Sequence, residues 1–394
     1  MTQTDTGGDI YLKLIHLSDL HLGKRFNEHN LIDDQRDILQ KILRVIDAEK
    51  PDAVLIAGDV YDRSIPPAEA VQLLDDFLTR LARRHLPTFL ISGNHDSPER
   101  VSFGASLMEA SGIHIAPVYN GSVTPVTLSD EFGSVNIYAL PFVKPVHVRE
   151  CFPDAEILSY TDALRVAVEQ MNVPTAERNV LIAHQFVTGN GGAVTPELSD
   201  SESVSVGGLD NVDLSVFAPF DYVALGHIHK PQYVGRESVR YCGTPLKYSF
   251  SEVRHEKSVT VVELGAKGVL KLRTVPLEPL HEMRELRGTL SEVLSQERDD
   301  PRADDYFRVI LTDEDEIPDA IGKLRTRCPN VLRLEYDNAR TRAAAILEAP
   351  AALDGRTPVD LFAAFYEQQN GRPMRDEQRR FCEHIMEEIQ EAMV

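Results

Sequence analysis

Short apolar runs alternate with longer amphipathic stretches over the first hundred residues. Leu12–Leu17 (LKLIHL), Ala53–Ala57 (AVLIA) and Thr88–Ser92 (TFLIS) are too short for helices, and each reads as a buried strand. Between them, Asp33–Glu49 puts Ile38, Ile42, Val45 and Ile46 on one helical face before Pro51 stops it. Glu69–Arg84 repeats the pattern through Val71, Leu74, Phe77, Leu78 and Leu81. The order β-α-β-α-β predicts an α/β fold with a parallel sheet. Strands then come more densely, at Val135–Leu140, Val180–Ala183, Tyr222–Leu225, Val239–Cys242, Ser258–Leu264 and Leu270–Val275. Gly265-Ala266-Lys267-Gly268 marks a hairpin between the last two. A mixed second sheet packed on the first accounts for them.

Past Pro276–Pro279 the pattern changes. Residues 280–340 alternate helical and strand signals, with Tyr306–Leu311 and Val331–Leu334 as strands, and read as a small α+β domain. From 341 the chain is charged and helical, with an apolar stripe at Leu361, Phe362, Phe365 and Tyr366 and a second helix from Arg375 to Met393. The expected organisation is a disordered tail at 1–9, a main domain at 10–279, the small domain at 280–340 and helices at 341–394.

Bulk properties narrow the class. A chain of 394 residues exceeds what one core usually takes. No apolar run approaches ~20 residues, so no membrane span is expected. The polar start, with Asp5 and Asp9, is no secretory or transit signal. Cys151, Cys242, Cys328 and Cys382 are far apart and form no Cys-x-x-Cys pair, which points to reduced thiols in the cytoplasm. A net charge of −21 argues against strong unaided affinity for nucleic acid. It does not exclude a nuclease, because divalent ions reverse the local field at a carboxylate-rich site and a partner can supply basic surface.

The chemistry sits where apolar runs end. The motifs are Ser18-Asp19-Leu20-His21, Gly58-Asp59-Val60-Tyr61-Asp62, Gly93-Asn94-His95-Asp96, Ala183-His184-Gln185 and Gly226-His227-Ile228-His229. A residue that ends a strand stands at the rim of a sheet, where sites form. Asp19 and His21, two apart, can share an ion if the segment is extended. Gly58 lets the backbone turn sharply before Asp59, whose two oxygens can bridge two ions. Asn94 offers an amide oxygen, and His184, His227 and His229 offer imidazole nitrogens. An oxygen and nitrogen shell without thiolates suits Mn²⁺, and Mg²⁺ is the alternative. Two such ions side by side hydrolyse phosphate esters. His95 is placed to steady or protonate the reacting phosphate, and Asp96 to orient its ring or the neighbouring backbone. Each motif alone is weak, and the ordered set is specific. His16, His29, His85, His114, His147, His255, His281 and His384 lack such context and read as core or solvated.

This order of motifs resembles that of the calcineurin-like metallophosphoesterases. His16–Lys24 (HLSDLHLGK), Ala57–Pro67 (AGDVYDRSIPP), Ser92–Ser97 (SGNHDS), Ala224–Pro231 (ALGHIHKP) and Cys242–Glu252 (CGTPLKYSFSE) are similar to the nuclease components of bacterial SbcCD complexes. The resemblance implies a two-sheet α/β/β/α sandwich, a capping domain at about 280–340 and C-terminal helices that dock on a coiled-coil ATPase. It implies a DNA nuclease, 3′ to 5′ on duplex ends and endonucleolytic on single strands and hairpins, preferring Mn²⁺. By motif, Asp19, His21 and His229 hold one ion, Asn94, His184 and His227 the other, Asp59 bridges, and His95 is catalytic. Archaeal and eukaryotic relatives carry a second histidine where this chain has Asp62, so that residue's role stays open. The family dimerises through helices that match Pro67–Arg84 and Pro98–Ser111 here. The apolar face Val71, Leu74 and Leu78 reads more simply as core. Lys24, Arg25, Arg63, Arg100, Lys230, Lys247 and Arg254 form a phosphate-contacting rim if they are near in space. The long loop Gly189–Gly208 is either functional or a solvated surface. The rival readings are a small-molecule phosphodiesterase on the same site and an inactive scaffold.

Overall fold

A computed structural model of the chain describes residues 11–26, 29–116, 118–189, 192–202, 210–297, 300–315 and 317–338, with short stretches at 341, 362–363, 366, 373–375 and 377–382. They fall into two compact units, 1–311 with 317–335, and 312–316 with 336–394. In chain order the elements are β1 (Leu12–Leu17), β2 (Arg25–Phe26), β3 (His29–Asn30), α1 (Ile32–Glu49), β4 (Ala53–Ala57), α2 (Ala68–Ala82), β5 (Thr88–Ile91), α3 (Pro98–Val101), α4 (Ala105–Glu109) and β6 (Ile113–Ile115). Next come β7 (Val126–Asp130), β8 (Gly133–Ala139), α5 (Pro145–Cys151), α6 (Tyr160–Gln170), β9 (Arg178–His184), β10 (Phe186–Thr188), β11 (Asn211–Asp213), β12 (Tyr222–Gly226), β13 (Gln232–Val234) and β14 (Arg236–Tyr241). The rest are β15 (Ser258–Leu264), β16 (Leu270–Pro276), β17 (Met283–Gly288), α7 (Leu290–Gln296), β18 (Tyr306–Leu311), α8 (Ala320–Arg325) and β19 (Val331–Tyr336).

Two sheets form the larger unit. One runs β16-β15-β1-β4-β5-β6, with β1, β4, β5 and β6 parallel; the other runs β13-β14-β12-β9-β8-β7, with β14, β12, β9 and β8 parallel. Strand periodicity explains how they meet. On β1, Leu12 and Leu14 face the second sheet, where Val135, Ile137, Val180, Ile182 and Tyr222 join them in one dry layer. Ile15 and Leu17 face the other way and pack under Ile38 and Ile42 of α1 and Phe77 and Leu81 of α2. Leu164 and Val168 of α6 cover the outer face of the second sheet over Tyr138, Leu181 and Val223. The result is an α/β/β/α sandwich. His16 lies in the inter-sheet layer, its Nδ1 2.8 Å from the Tyr222 hydroxyl, and is a core histidine.

The hairpin at 265–268 forms as the turn residues predict, with Leu264 opposite Leu270. Elsewhere the structure amends the expectations. Val71 is 45% exposed, because the buried stripe of α2 runs through Ala70, Leu74, Phe77 and Leu81, one position round the helix. The segment expected as one helix at Pro98–Ser111 is two short helices, α3 and α4, broken before Gly104 at φ 75°. In residues 280–335, β17, β18 and β19 form a three-stranded sheet beside α7 and α8. Met283 and Tyr306 of that sheet belong to the apolar cluster under α1.

In the smaller unit, the Asn338 amide donates to the Asp313 carbonyl at 3.0 Å. Gln378 donates to the Tyr366 hydroxyl at 3.2 Å, while Phe362 and Phe381 are 40% and 65% exposed. Leu361, Phe365 and most of the expected helix at 375–393 lie outside the described residues, as does the tail at 1–9. All four cysteines are free thiols.

Candidate metal centre

The carboxyl ends of β1, β4, β5, β9 and β12 converge on one edge of the sandwich, and the five motifs follow them. Backbone pairing brings the loops into register. Asp19 N–H donates to the Gly58 carbonyl at 3.1 Å and His21 N–H to the Asp59 carbonyl at 2.9 Å. The turns are tight enough that Asp19, His21, Asp59 and His227 all take positive φ, at 51°, 43°, 45° and 103°. Non-glycine residues rarely hold that region without surrounding structure to enforce it, and such strain concentrates at functional sites. Gly58, at φ 80°, is the sharp turn its place before Asp59 predicts, and a side chain there would run into the His184 ring.

Asp59 stands between two donor groups. Its Oδ2 lies 3.7 Å from His21 Nε2 and 3.3 Å from His184 Nε2. On the first side, His21 Nε2 faces His229 Nε2 at 3.2 Å, and Asp19 joins both within ligand reach. On the second, Asn94 Oδ1 lies 3.0 Å from both His184 Nε2 and His227 Nδ1. Asp19, His21, Asp59, His184, His227 and His229 are buried.

The hydrogen bonds show which lone pairs point inward. The Ala57 carbonyl can only accept, so His184 Nδ1, 2.8 Å away, carries the proton and Nε2 presents a lone pair. His229 Nδ1 sits 3.3 Å from the Glu252 carboxylate and 2.8 Å from Ser201 Oγ, which leaves its Nε2 free in the same way. Asp19 Oδ1 is taken by the His227 N–H at 2.9 Å, but Asp19 Oδ2 is buried with no hydrogen-bond partner among the described residues. Imidazole nitrogens and an amide oxygen that converge at about 3 Å around a buried carboxylate form a donor set that a cation would satisfy. Titration points the same way. Burial alone would push His184 down, yet the Asp59 carboxylate raises it to about 9, so with no ion bound a proton on Nε2 supplies the positive charge the cluster draws in, and a bound ion would take that proton's place. Burial, and then the neighbouring His184, hold His227 down at about 3. These donors therefore fit divalent ions of the Mn²⁺ and Mg²⁺ kind.

His95 is half-buried at the rim. Its N–H donates to Asp59 Oδ1 at 2.9 Å, and its Nδ1 donates to the Asp62 carbonyl at 3.0 Å. The ring is thus oriented by the Asp62 backbone. Asp96 does not do this: its carboxylate takes the N–H groups of Val60 at 3.0 Å, Tyr61 at 2.9 Å and Gly93 at 2.9 Å. It fastens the Asp59 loop to the Asn94 loop, and burial together with the Asp59 charge raises it to about 6. The Asp62 side chain pairs with Lys24 Nζ at 2.7 Å.

The chain belongs to the calcineurin-like phosphoesterases. The family model "Calcineurin-like phosphoesterase" matches residues 12–231, and the model "Type 5 capsule protein repressor C-terminal domain" matches residues 279–370. SbcD, the nuclease component of the SbcCD complex of Staphylococcus epidermidis, is 34% identical over 327 residues, covering 82% of this chain and 85% of that one. Within the phosphoesterases the chain is therefore a member of the SbcD nucleases, hydrolases whose centres use divalent metals. Among solved structures, TT1561 of Thermus thermophilus is 13% identical with a TM-score of 0.40, over 68% of this chain and 100% of that one. A dimetal phosphatase from Danio rerio is 12% identical with a TM-score of 0.37, over 69% of this chain and 98% of that one. Among the described residues, no helix is long and apolar enough to cross a membrane.

The cations expected at the rim are unevenly available. Lys24, Lys230 and Lys247 are matched by Asp62, Glu197 and Glu282. Arg25, Arg63, Arg100 and Arg254 are exposed, and Arg63 also faces the Asp62 carboxylate at 3.6 Å. Several supporting residues escape a reading by motif. Buried Gln35 donates to the His21 carbonyl at 2.7 Å, and the Tyr248 hydroxyl donates to Leu20 O at 2.6 Å. Glu252 and Lys257, both buried, pair at 2.6 Å behind His229, whose carbonyl accepts from Lys257 at 2.9 Å. Glu202 accepts the His229 N–H, so part of the 189–208 loop does reach the centre. Glu252 ends a run singled out for its resemblance; Gln35 and Lys257 carry no local signal.

Proposed function

We propose that this centre binds two divalent ions, Mn²⁺ in preference to Mg²⁺, and cuts DNA phosphodiesters. It would act 3′ to 5′ on duplex ends and endonucleolytically on single strands and hairpins. The carrying observation is Asp59 between two converging donor groups. Asp19, His21 and His229 would hold one ion, Asn94, His184 and His227 the other, and Asp59 both. When bound, such ions lower the pKa of water to give a nucleophile at neutral pH and stabilise charge on the phosphoryl oxygens. The protein does the rest. Asp96 keeps the Asp59 and Asn94 loops at a fixed spacing. Nδ1 of His95 is occupied by Asp62 O, so its Nε2 is the atom left to hold or deliver a proton at the leaving oxygen.

The acidic chain favours delegated DNA binding, with an SbcC-like coiled-coil ATPase docking on residues 341–394. Residues 280–340 would form a capping domain, an idea supported by their three-stranded sheet. Exposed Val71, Phe103 and Leu107, at 45%, 81% and 83%, suit a homodimer through the 67–84 and 98–111 segments. The cytoplasm is the expected location. The test is end-labelled duplex DNA with Mn²⁺ or Mg²⁺, with and without the ATPase. Metal-dependent cutting that is lost in Asp59→Asn supports the reading. Hydrolysis of a small phosphodiester with DNA left intact would favour the small-molecule phosphodiesterase.

A further inference from the structure

A cavity adjoins the centre and is unused by the chemistry above. It has a volume of about 210 Å³, and Asn94 and His227, of the second donor group, form part of its wall. Its other walls carry three aromatic rings, with Lys144, Gln185 and the Asp210 carboxylate between them. Phe142 is half-buried with its ring edge-on to His184 at 6.3 Å, Phe186 stands edge-on to His227 at 6.5 Å, and Tyr160 completes the lining. The loop that carries Phe142 follows β8 and is pinned to the first sheet, since Phe142 N–H donates to Ser92 O at 2.9 Å. Tyr160 opens α6 beside a capping box at Ser159 and Asp162. The aromatic groups are therefore on rigid supports.

Two polar features mark the cavity as a receiving site. Lys144, at its mouth, is exposed and pairs with no carboxylate among the described residues. Gln185 is 1% exposed; its amide nitrogen donates to Val143 O at 3.1 Å, but its carbonyl oxygen has no partner among the described residues. A half-exposed phenyl ring and an uncompensated buried acceptor beside a centre of charged groups are costly unless something occupies the space.

We propose that this cavity receives the nucleobase next to the scissile phosphate, stacked on Phe142, with Lys144 holding the phosphate on its far side. This rests on the phosphodiester reading of the centre. The volume lies below the ~300–1,000 Å³ of sites that enclose whole drug-sized ligands, so the cavity takes one ring system of a longer substrate. An aromatic face accepts every base, which suits an enzyme that works along a strand of any sequence. The site thus supplies substrate registration without sequence choice: the base, not only the phosphate, sets which bond faces His95.

The experiment compares thymidine 5′-phosphate with inorganic phosphate, titrated calorimetrically into the full-length Mn²⁺-loaded chain. The nucleotide should bind about tenfold tighter or better, the effect of one stacked base. Phe142→Ala should bring the two ligands to parity while phosphate affinity holds, and Phe142→Tyr should keep the preference. Lys144→Ala should weaken oligonucleotide cleavage but leave thymidine 5′-phosphate binding alone. Equal affinities in the wild type, binding of neither ligand at millimolar concentration, or a Phe142→Ala that weakens both alike would overturn the proposal. DNA cleavage by the wild type is scored separately: nucleotide preference without DNA cutting removes the nuclease reading and keeps the pocket.

Discussion

Two buried polar clusters meet at His229 and are built on opposite principles. Behind the ring, Glu252, Lys257 and Thr244 satisfy one another: Lys257 Nζ donates to Glu252 at 2.6 Å, to Thr244 Oγ1 at 2.7 Å and to the His229 carbonyl at 2.9 Å. In front of the ring, Asp19 Oδ2 and His21 Nδ1 have no hydrogen-bond partner among the described residues, and polar atoms of Asn94, His184 and Asp59 converge. The closed cluster is scaffold, because every buried charge is compensated within it. The open cluster is a candidate receptor for charge, because its buried donors converge without a compensating cation among the described residues.

The sharpest way to break this contrast is Asp59→Asn, which removes the anion shared by both donor groups. Phosphodiester cleavage should fall by about 10³-fold or more, the several kcal/mol that metal-ion catalysis supplies. Calorimetry should show Mn²⁺ stoichiometry falling below two. Melting temperature measured with and without Mn²⁺ sharpens it: ion binding at 100 times Kd stabilises the wild type by about 2.7 kcal/mol, and chelation or Asp59→Asn should abolish that gain. A variant still stabilised fully by Mn²⁺ would remove Asp59 from the ligand set.

In the closed cluster, Glu252→Ala strands the Lys257 cation and should cost about 3–5 kcal/mol of unfolding free energy. Glu252→Gln should cost less and instead weaken Mn²⁺ binding by about 10–100-fold, the usual consequence of altering a ligand's supporting partner. Denaturant titration and metal calorimetry on both variants separate the roles. Asp96→Asn should lower turnover by about 10–100-fold, since an amide nitrogen now opposes one of three N–H groups it holds; unchanged turnover would mean the Asp59 loop is placed without it.

The smallest effect on activity belongs to the far end of the second sheet. Arg178, 3% exposed, bridges Asp130 Oδ2 at 2.9 Å and the Gly133 and Gly265 carbonyls. Its hydrogen bond holds the Asp130 carboxyl below the ordinary value of 3.8. A carboxyl lowered on folding adds stability that is full above its unfolded pKa and is lost as pH falls through the folded one. Arg178→Met should therefore cost about 1–3 kcal/mol at pH 7, with the gap to wild type closing below about pH 4. Cleavage should stay within about twofold.

Some of this is legible from the residues in order. The first three strands that carry motifs are short, apolar and far from any competing pattern, so β1, β4 and β5 are readable almost to the residue, as is β15, which carries none. Helix α6 is not, because its buried face is built partly from Ala163 and Ala167, too small to give a strong period. β7 escapes notice because it is an edge strand with no fully buried position. Val71 shows the limit of face assignment: adjacent apolar residues lie 100° apart on a helix, and only packing decides which one turns inward.

By itself the sequence determined the donor set, its order along the chain and the acidic balance that implies a helper for DNA. Tertiary structure decided that Asp59 stands between the two donor groups, that Asp96 braces loops instead of the His95 ring, and that Glu252, Lys257 and Gln35 support the centre. It also set Phe142 beside His184, although they are distant in the chain. The reason is physical: a strand end announces its own ligand through local pattern, but which groups share an ion, a proton or a wall is set by how two sheets align across a dry interface, and no local window contains that alignment.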